Sequence, residues 1–459
     1  MDKYAHLLEK YSSTDIQHID IISVTEKNYT LALRVESIEE LSDTFSYVVI
    51  RVFSKNGWGI IVTSDMKSES VEKAINRAIK LSKKASPAKA YKGTMYLAEC
   101  ELSSGVYKHN EKLPPEKADI GNIIDTLYSI KENALERLKS RFAWSEEILT
   151  YKKQHRHIIT SDGINITEIK PTTDFTFYVV TKSFGRRLLT SSGIIGFTSG
   201  LEIMNSKRLE EMVGTVLFRA YQLINAGRIN PIVSGKQINA VLNYEVAGAL
   251  IHEAVGHTLE ADRLIEKGGY ALSIKGSKIA NQELEIIDDP TIIGGYGSYF
   301  FDDEGVRGRR KILIQDGRIV ELLHTRLSAA YFNESPNGSA RGLVHQPRAL
   351  MSNLYIVPQD WKFDEMLSDM REGLYVEGLI RAELRNDLII IEPEIAYLVE
   401  KGEIKRPIYN LKLAARAEKI LMNIDAVGKQ FNLRPGLEKG HPISDGGSFI
   451  RVRGLHIIS

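Results

Sequence analysis

The chain has 459 residues, 43% hydrophobic and 26% charged, proportions that exclude a disordered or collagen-like protein and leave a soluble globular one. Sixty basic side chains against fifty-nine acidic ones give a net charge of +1, so no overall field draws it to nucleic acid or to an anionic membrane. The single cysteine, Cys100, excludes an internal disulfide and a multi-cysteine zinc site, fits a reducing compartment and reads as a small buried residue.

The opening run MDKYAHLLEKYSS lacks the basic start, apolar stretch and small-residue cleavage site of a secretory leader. The most apolar stretches, 247–251 and 388–391, are far shorter than the ~20 residues that span a bilayer. A cytoplasmic protein with no membrane segment and no nucleic-acid partner is expected.

The length suggests two domains of roughly 200 residues each. A first helix is expected over 2–11, then strands over 29–35 and 45–53. Asn56-Gly57 carries a hairpin signal that leads into a strand over 59–63. Val71, Ala74, Ile75, Ala78, Ile79 and Leu81 recur at helical spacing and predict a helix over 68–84. Pro114-Pro115 opens an amphipathic stretch to 141, with a solvated charged face. Short strands with Ser-Asp-Gly and Ser-Ser-Gly turns follow over 152–200, then a helix over 205–225.

Asn230-Pro231 and Ser234-Gly235 mark the best boundary. The fold class expected is α+β in two lobes: an N-terminal domain of mixed hairpins and helices, 1–230, and a β-rich C-terminal domain, 231–459, with one motif-bearing helix over 244–264. Asn243 caps that helix, Glu245 suits its positive end, and Val246, Ala249 and Leu250 give it an apolar side.

His252 and Glu253 therefore lie inside a helix. An imidazole can bind zinc there while the adjacent carboxylate reaches a metal-bound water, the division of labour in helical metallopeptidases. His257, however, lies five residues beyond His252, not four. At about 100° per residue the second ring stands roughly 140° round the axis from the first, too far for both to meet one ion. A π-bulge, or a helix that loosens at Gly256, would bring them together.

The segment His252-Glu-Ala-Val-Gly-His257-Thr-Leu-Glu-Ala-Asp262 is joined by Tyr296-Gly-Ser-Tyr-Phe-Phe-Asp-Asp-Glu-Gly305, Asn337-Gly-Ser-Ala-Arg341 and Pro442-Ile-Ser-Asp-Gly-Gly447. With Gly57-Trp-Gly59 to Ala85 and the Ser161-Asp-Gly163 turn, these resemble the TldD/PmbA family, on its motif-bearing TldD side, over most of the chain.

The resemblance implies a zinc metallopeptidase acting on unstructured peptides or unfolded polypeptides. His252 and His257 would bind the metal and Glu253 would be the general base. It also implies a dimer, either a homodimer or a heterodimer with a PmbA-type paralogue. The family pattern supplies a further ligand from a cysteine just before the C-terminal glycine turn, and this chain reads Asn432-Leu-Arg-Pro-Gly-Leu-Glu-Lys-Gly-His441 there. Either His441 or Glu438 takes that place, with His441 the better replacement because imidazole suits zinc, or the site is incomplete. The alternative function is a non-catalytic binding or scaffold subunit with an impaired metal site.

Glu260 and Asp262 are each candidates to hold a ligand imidazole from behind. Asp302-Asp303-Glu304 could meet a peptide's amino end or a metal, but reads more simply as a solvated hairpin turn. Gly294-Gly295-Tyr296-Gly297 matches neither phosphate-binding glycine pattern.

Overall fold

The computed structural model describes residues 3–11, 16–85, 91, 96–185, 187–228, 235–268 and 273–458. The expected boundary at Asn230-Pro231 lies outside the described residues, as does Asp2 at the start of the expected first helix, which is seen as α1 (Ala5–Glu9).

The first half of the chain forms one seven-stranded sheet: β1 (Ile16–Arg34), β2 (Ser37–Ser54), β3 (Gly57–Thr63), β4 (Ser104–Lys108), β5 (Phe142–Thr160), β6 (Asn165–Lys182) and β7 (Leu188–Phe197). The order is β3-β2-β1-β5-β6-β4, with β7 also on β6. The expected hairpin closes β2 on β3, pairing Ser54 with Gly57, whose φ of +129° suits glycine. Helix α2 (Ser68–Lys84) covers β2 and β3 with Val71, Ala74, Ile75 and Ala78, as its spacing predicts.

Helices α3 (Ile120–Leu138) and α4 (Lys207–Asn225) lie on β5, β6 and β7, over a core that includes Leu31, Leu149, Phe175 and Phe177. Another apolar cluster joins Ile22, Val24, Val49, Ile158 and Ile166 to Phe301 and Leu343 of the second half.

The short strands expected over 152–200 are instead long: β5 has 19 residues and β6 has 18. Their apolar alternation is broken by Arg156 and Glu168, which are buried in mutual ion pairing at the contact with the second half. A charge at an inward position reads as a strand end when its partner is unknown.

The second half holds β8 (Gly227–Arg228), β9 (Gln237–Leu242), β10 (Ile286–Asp288), β11 (Lys311–Gln315), β12 (Arg318–Ile319), β13 (Ala340–Arg341), β14 (Arg348–Ala349), β15 (Asn353–Ile356), β16 (Glu372–Arg385), β17 (Leu388–Glu400), β18 (Glu403–Tyr409), β19 (Leu413–Arg416), β20 (Ile424–Val427), β21 (Asn432–Glu438), β22 (His441–Gly447) and β23 (Ile450–Ile457). One six-stranded sheet runs β12-β11-β10-β15-β22-β21, and an eight-stranded sheet runs β16-β9-β23-β19-β17-β18-β8, with β20 on β23.

Helix α5 (Tyr244–Ile251) lies between these sheets, against β15, β21 and β22 on one side and β9, β16 and β17 on the other. Every residue from Glu245 to Ile251 is buried, which explains why this helix is apolar nearly all round. The architecture is α+β, with an N-terminal part of hairpins and helices and a β-rich C-terminal part. Among the described residues no helix is long and apolar enough to cross a membrane.

Candidate metal centre

The centre is built at the end of α5. The Oδ1 of Asn243 accepts the N–H of Val246 at 3.1 Å and caps the helix. Gly248 lets β22 approach, because a Cβ there would stand 2.6 Å from Asp445 Oδ1 and 2.7 Å from the Gly446 nitrogen.

The single helix expected over 244–264 is broken into four pieces. After Ile251 the chain makes a π turn at His252–Gly256, then a 3₁₀ turn at His257–Leu259, before α6 (Ala261–Lys267). The inserted residue turns His257 back toward His252, and the ring centroids lie 4.7 Å apart at 88°. The hydroxyl of Thr258 donates to the carbonyls of Ala254, at 2.6 Å, and Val255, at 3.1 Å, within the distorted turn. Ligand atoms of His252, Glu253 and His257 all lie within 4.8 Å of one another.

A carboxylate stands behind each imidazole. His257 Nδ1 is 2.7 Å from Glu260 Oε1, and the other Glu260 oxygen is 2.7 Å from Arg263 Nε. His252 Nδ1 is 3.4 Å from Asp445 Oδ2, and Arg434 donates to both Asp445 oxygens at 3.0 and 2.6 Å. Asp445 is fully buried, and burial opposes its ionisation, but Arg434 and His252 outweigh this and hold it below the usual carboxylate range. Burial likewise depresses His252, yet Asp445 and Glu253 prevail and its pKa rises above the ordinary imidazole value.

With Nδ1 turned to a carboxylate, each ring directs Nε2 to the front. There stands Glu438: Oε2 is 3.9 Å from His252 Nε2 and Oε1 is 3.7 Å from His257 Nε2. Glu438 ends β21 at a two-residue turn whose Lys439 (φ +50°) and Gly440 (φ +79°) have the left-handed backbone of a tight hairpin. Glu253 is anchored separately, its Oε2 accepting the N–H of Leu384 at 3.1 Å.

Two imidazoles and a carboxylate are a known zinc donor set, and ligand atoms about 2.0–2.2 Å from one ion would be separated by roughly 3.3 Å. The spacings to Glu438 are a few tenths of an ångström wider and run from a different oxygen to each histidine, so these residues fit a zinc ion once the Glu438 side chain turns one oxygen inward.

His441, the favoured replacement ligand, is not brought into this group. It pairs with Glu438 across the hairpin, but its charged neighbours are Asp303, Arg341, Lys170 and Arg156. Burial, opposed by Asp303 and aided by the three cations, depresses it to about 4. The carboxylate facing the two histidines is the alternative, Glu438.

Of the two rear acceptors considered, Glu260 takes the role and Asp262 does not. Asp262 instead accepts from the Ala349 N–H and from Thr325 Oγ1 at 3.3 Å. The acidic turn is not solvated: Asp302, Asp303 and Glu304 are at most 2% exposed. Asp302 takes the N–H groups of Glu304, Val306 and Ala340, Asp303 pairs with Arg156, and Glu304 takes the Arg326 N–H. Cys100 lies apart, its thiol pushed up to about 11 chiefly by burial. The sequence pattern alone points to no role for Asp445 or Arg434. Asp445 lies inside the Pro442–Gly447 run, where a charged residue beside two glycines was the available signal.

Residues 234–459 match the family model described as the PmbA/TldA metallopeptidase C-terminal domain, and residues 19–82 match its domain 1. A metalloprotease of Methanocaldococcus jannaschii is 31% identical over 98% of both chains. The chain belongs to the TldD/PmbA family. A zinc metalloprotease TldD homolog of Saccharolobus solfataricus is 31% identical over 47% of this chain and 50% of that one. The solved structure of TldE from Thermococcus kodakarensis superposes with a TM-score of 0.78 at 16% identity, over 99% of this chain and 100% of that one. It shares the TldD/PmbA fold, and curated relatives of the family carry the name metalloprotease.

Proposed function

We propose that this chain is a zinc-dependent peptidase for unstructured peptides, with the metal held by His252, His257 and Glu438 and with Glu253 as general base. The observation that carries this reading is the π turn, which brings His252, Glu253 and His257 together despite their five-residue spacing. A distortion of that kind is frequent at functional sites.

When bound, zinc supplies Lewis acidity, polarising a carbonyl and acidifying water. The protein's own groups do the rest. Glu260 and Asp445 orient the imidazoles and keep their Nε2 atoms forward. One Glu253 oxygen is fixed by the Leu384 N–H, leaving the other to accept a proton from the attacking water and pass it to the departing amine.

A peptide held in extended form through backbone hydrogen bonds at a strand edge would account for varied sequences as substrates. The reading extends to a cytoplasmic enzyme that works as a homodimer or with a PmbA-type paralogue, as the family resemblance implies. The competing reading, a non-catalytic scaffold subunit, draws on the missing C-terminal cysteine and requires weak zinc binding.

The test compares wild type with Glu253→Ala on an unfolded polypeptide, with metal analysis of both. Retained zinc and lost cleavage support the mechanism. Equal cleavage by the variant rejects it.

A further inference from the structure

The hairpin that presents Glu438 to the histidines also carries His441 into a second, positively charged neighbourhood between the two halves of the chain. There the charges of Lys170, on β6, and Arg341, on β13, both act on His441, and that of Arg341 acts on Lys170. The carboxylates close by are already engaged. Arg156 pairs with Asp303 through one terminal nitrogen and with Glu168, at 2.7 Å, through the other. The second Asp303 oxygen takes the Gly342 N–H at 2.7 Å, and the second Glu168 oxygen takes the Phe300 N–H at 2.8 Å and faces His109 Nε2 at 2.8 Å.

Lys170, Arg341 and His441 are therefore left over. Among the described residues none of the three has a side-chain hydrogen bond or an ion pair. Arg341 is 5% exposed, and its Nε and Nη2 are buried without a partner. Its guanidinium carbon lies over the Tyr299 ring, 3.7 Å from the centroid. Lys170 and His441 are partly exposed, which opens the group to solvent on their side. Unpartnered buried donors are costly, and an anion placed among them would remove the cost. Their crowding is also visible in Lys170, which burial and then Arg341 depress to about 7.

We propose that Lys170, Arg341 and His441 form a subsite for a carboxylate of the bound peptide, next to the catalytic centre through the Glu438–His441 pair. The proposal rests on the peptidase reading above. Directly opposed residues of an antiparallel pair lie about 4.5–5.5 Å apart, so the subsite is within a few residues' reach of the scissile bond along an extended peptide. A peptide offers such a carboxylate at its C-terminus or on an acidic side chain. A short distance between cleavage point and carboxylate would make free C-terminal ends preferred substrates.

The experiment uses the zinc-loaded full chain carrying Glu253→Gln, so that binding is read without turnover. Calorimetry compares N-acetyl-tetraalanine, its C-terminal amide, and two amides with Glu or Gln in place of the third alanine. Expected is at least about tenfold tighter binding of the free acid than of its amide, or of the Glu amide than of the Gln amide, the scale of one charge-assisted hydrogen bond. Which pair differs identifies the source of the carboxylate. That preference falls to near unity in Lys170→Met and survives in Lys170→Arg.

Equal binding within both pairs overturns the proposal, as does a preference unchanged by Lys170→Met or failure to bind any of the peptides. Because the first comparison needs only the background variant, misfolding of a Lys170 variant does not shield the proposal. Discrimination in binding with no cleavage by wild type would keep the subsite and reject the peptidase reading. Cleavage without discrimination would do the reverse.

Discussion

Glu438 faces His252 across 3.9 Å, from Oε2 to Nε2, and its other oxygen is 3.7 Å from His257 Nε2. A carboxylate thus stands where the family pattern leads one to expect a thiolate. Glu438→Ala should weaken zinc affinity by at least about 100-fold, more than the about 10- to 100-fold typical of losing an outer partner. Glu438→Cys should bind zinc more tightly than wild type, since thiolate suits zinc well. Competition against a chromophoric chelator measures both, and unchanged affinity in the alanine variant would remove Glu438 from the ligand set.

The carboxylates behind the rings make a graded prediction. Glu260→Gln and Asp445→Asn should each cost about 10- to 100-fold in metal affinity or turnover, because the imidazoles lose their orienting partners. Asp262→Asn is the control. It accepts from Ala349 and Thr325 and not from a histidine, so thermal stability should fall while the zinc affinity of the folded protein stays put.

Gly248→Ala tests the packing that delivers Asp445. The new Cβ would lie 2.7 Å from the Gly446 backbone nitrogen, so strand β22 must move. Overpacking of this kind costs about 1–3 kcal/mol, and chemical denaturation should show that loss together with weaker zinc binding. Full stability and full affinity would mean that the helix and strand are less tightly joined than described.

Glu147 on β5 predicts a pH dependence away from the metal. It is fully buried, and among the described residues neither oxygen has a hydrogen-bond partner. Burial raises its pKa from the ordinary 4.5 to about 7. A raised folded-state pKa means that its favourable contribution is complete below about pH 4.5 and is lost as the pH climbs through about 7. Glu147→Gln should therefore gain stability relative to wild type between pH 4.5 and 8, by up to about 3 kcal/mol. Denaturation midpoints at pH 5 and pH 8 check this, and a pH-independent difference would contradict it.

Local signals in the chain carried much of this fold. The apolar repeat of Val71, Ala74, Ile75 and Ala78 fell on α2, and Asn56-Gly57 on the β2–β3 turn. The five-residue spacing of His252 and His257 already required a distorted helix, and the π turn is that distortion.

What escaped was long-range. Asp302, Asp303 and Glu304 look solvated in sequence, and only contact with Arg156, Arg326 and nearby backbone N–H groups explains their burial. Likewise, Glu438 and His441 are equivalent by position in one hairpin. Which of them meets the histidines depends on how that hairpin lies across α5, a tertiary fact that ligand preference could not foresee.

The most direct test is a crystal structure of the full chain grown with zinc and measured on both sides of the zinc absorption edge. One anomalous peak is expected within about 2.0–2.2 Å of His252 Nε2, His257 Nε2 and a Glu438 oxygen. No peak between the two histidines, or a peak ligated by His441 with Glu438 turned away, would contradict it.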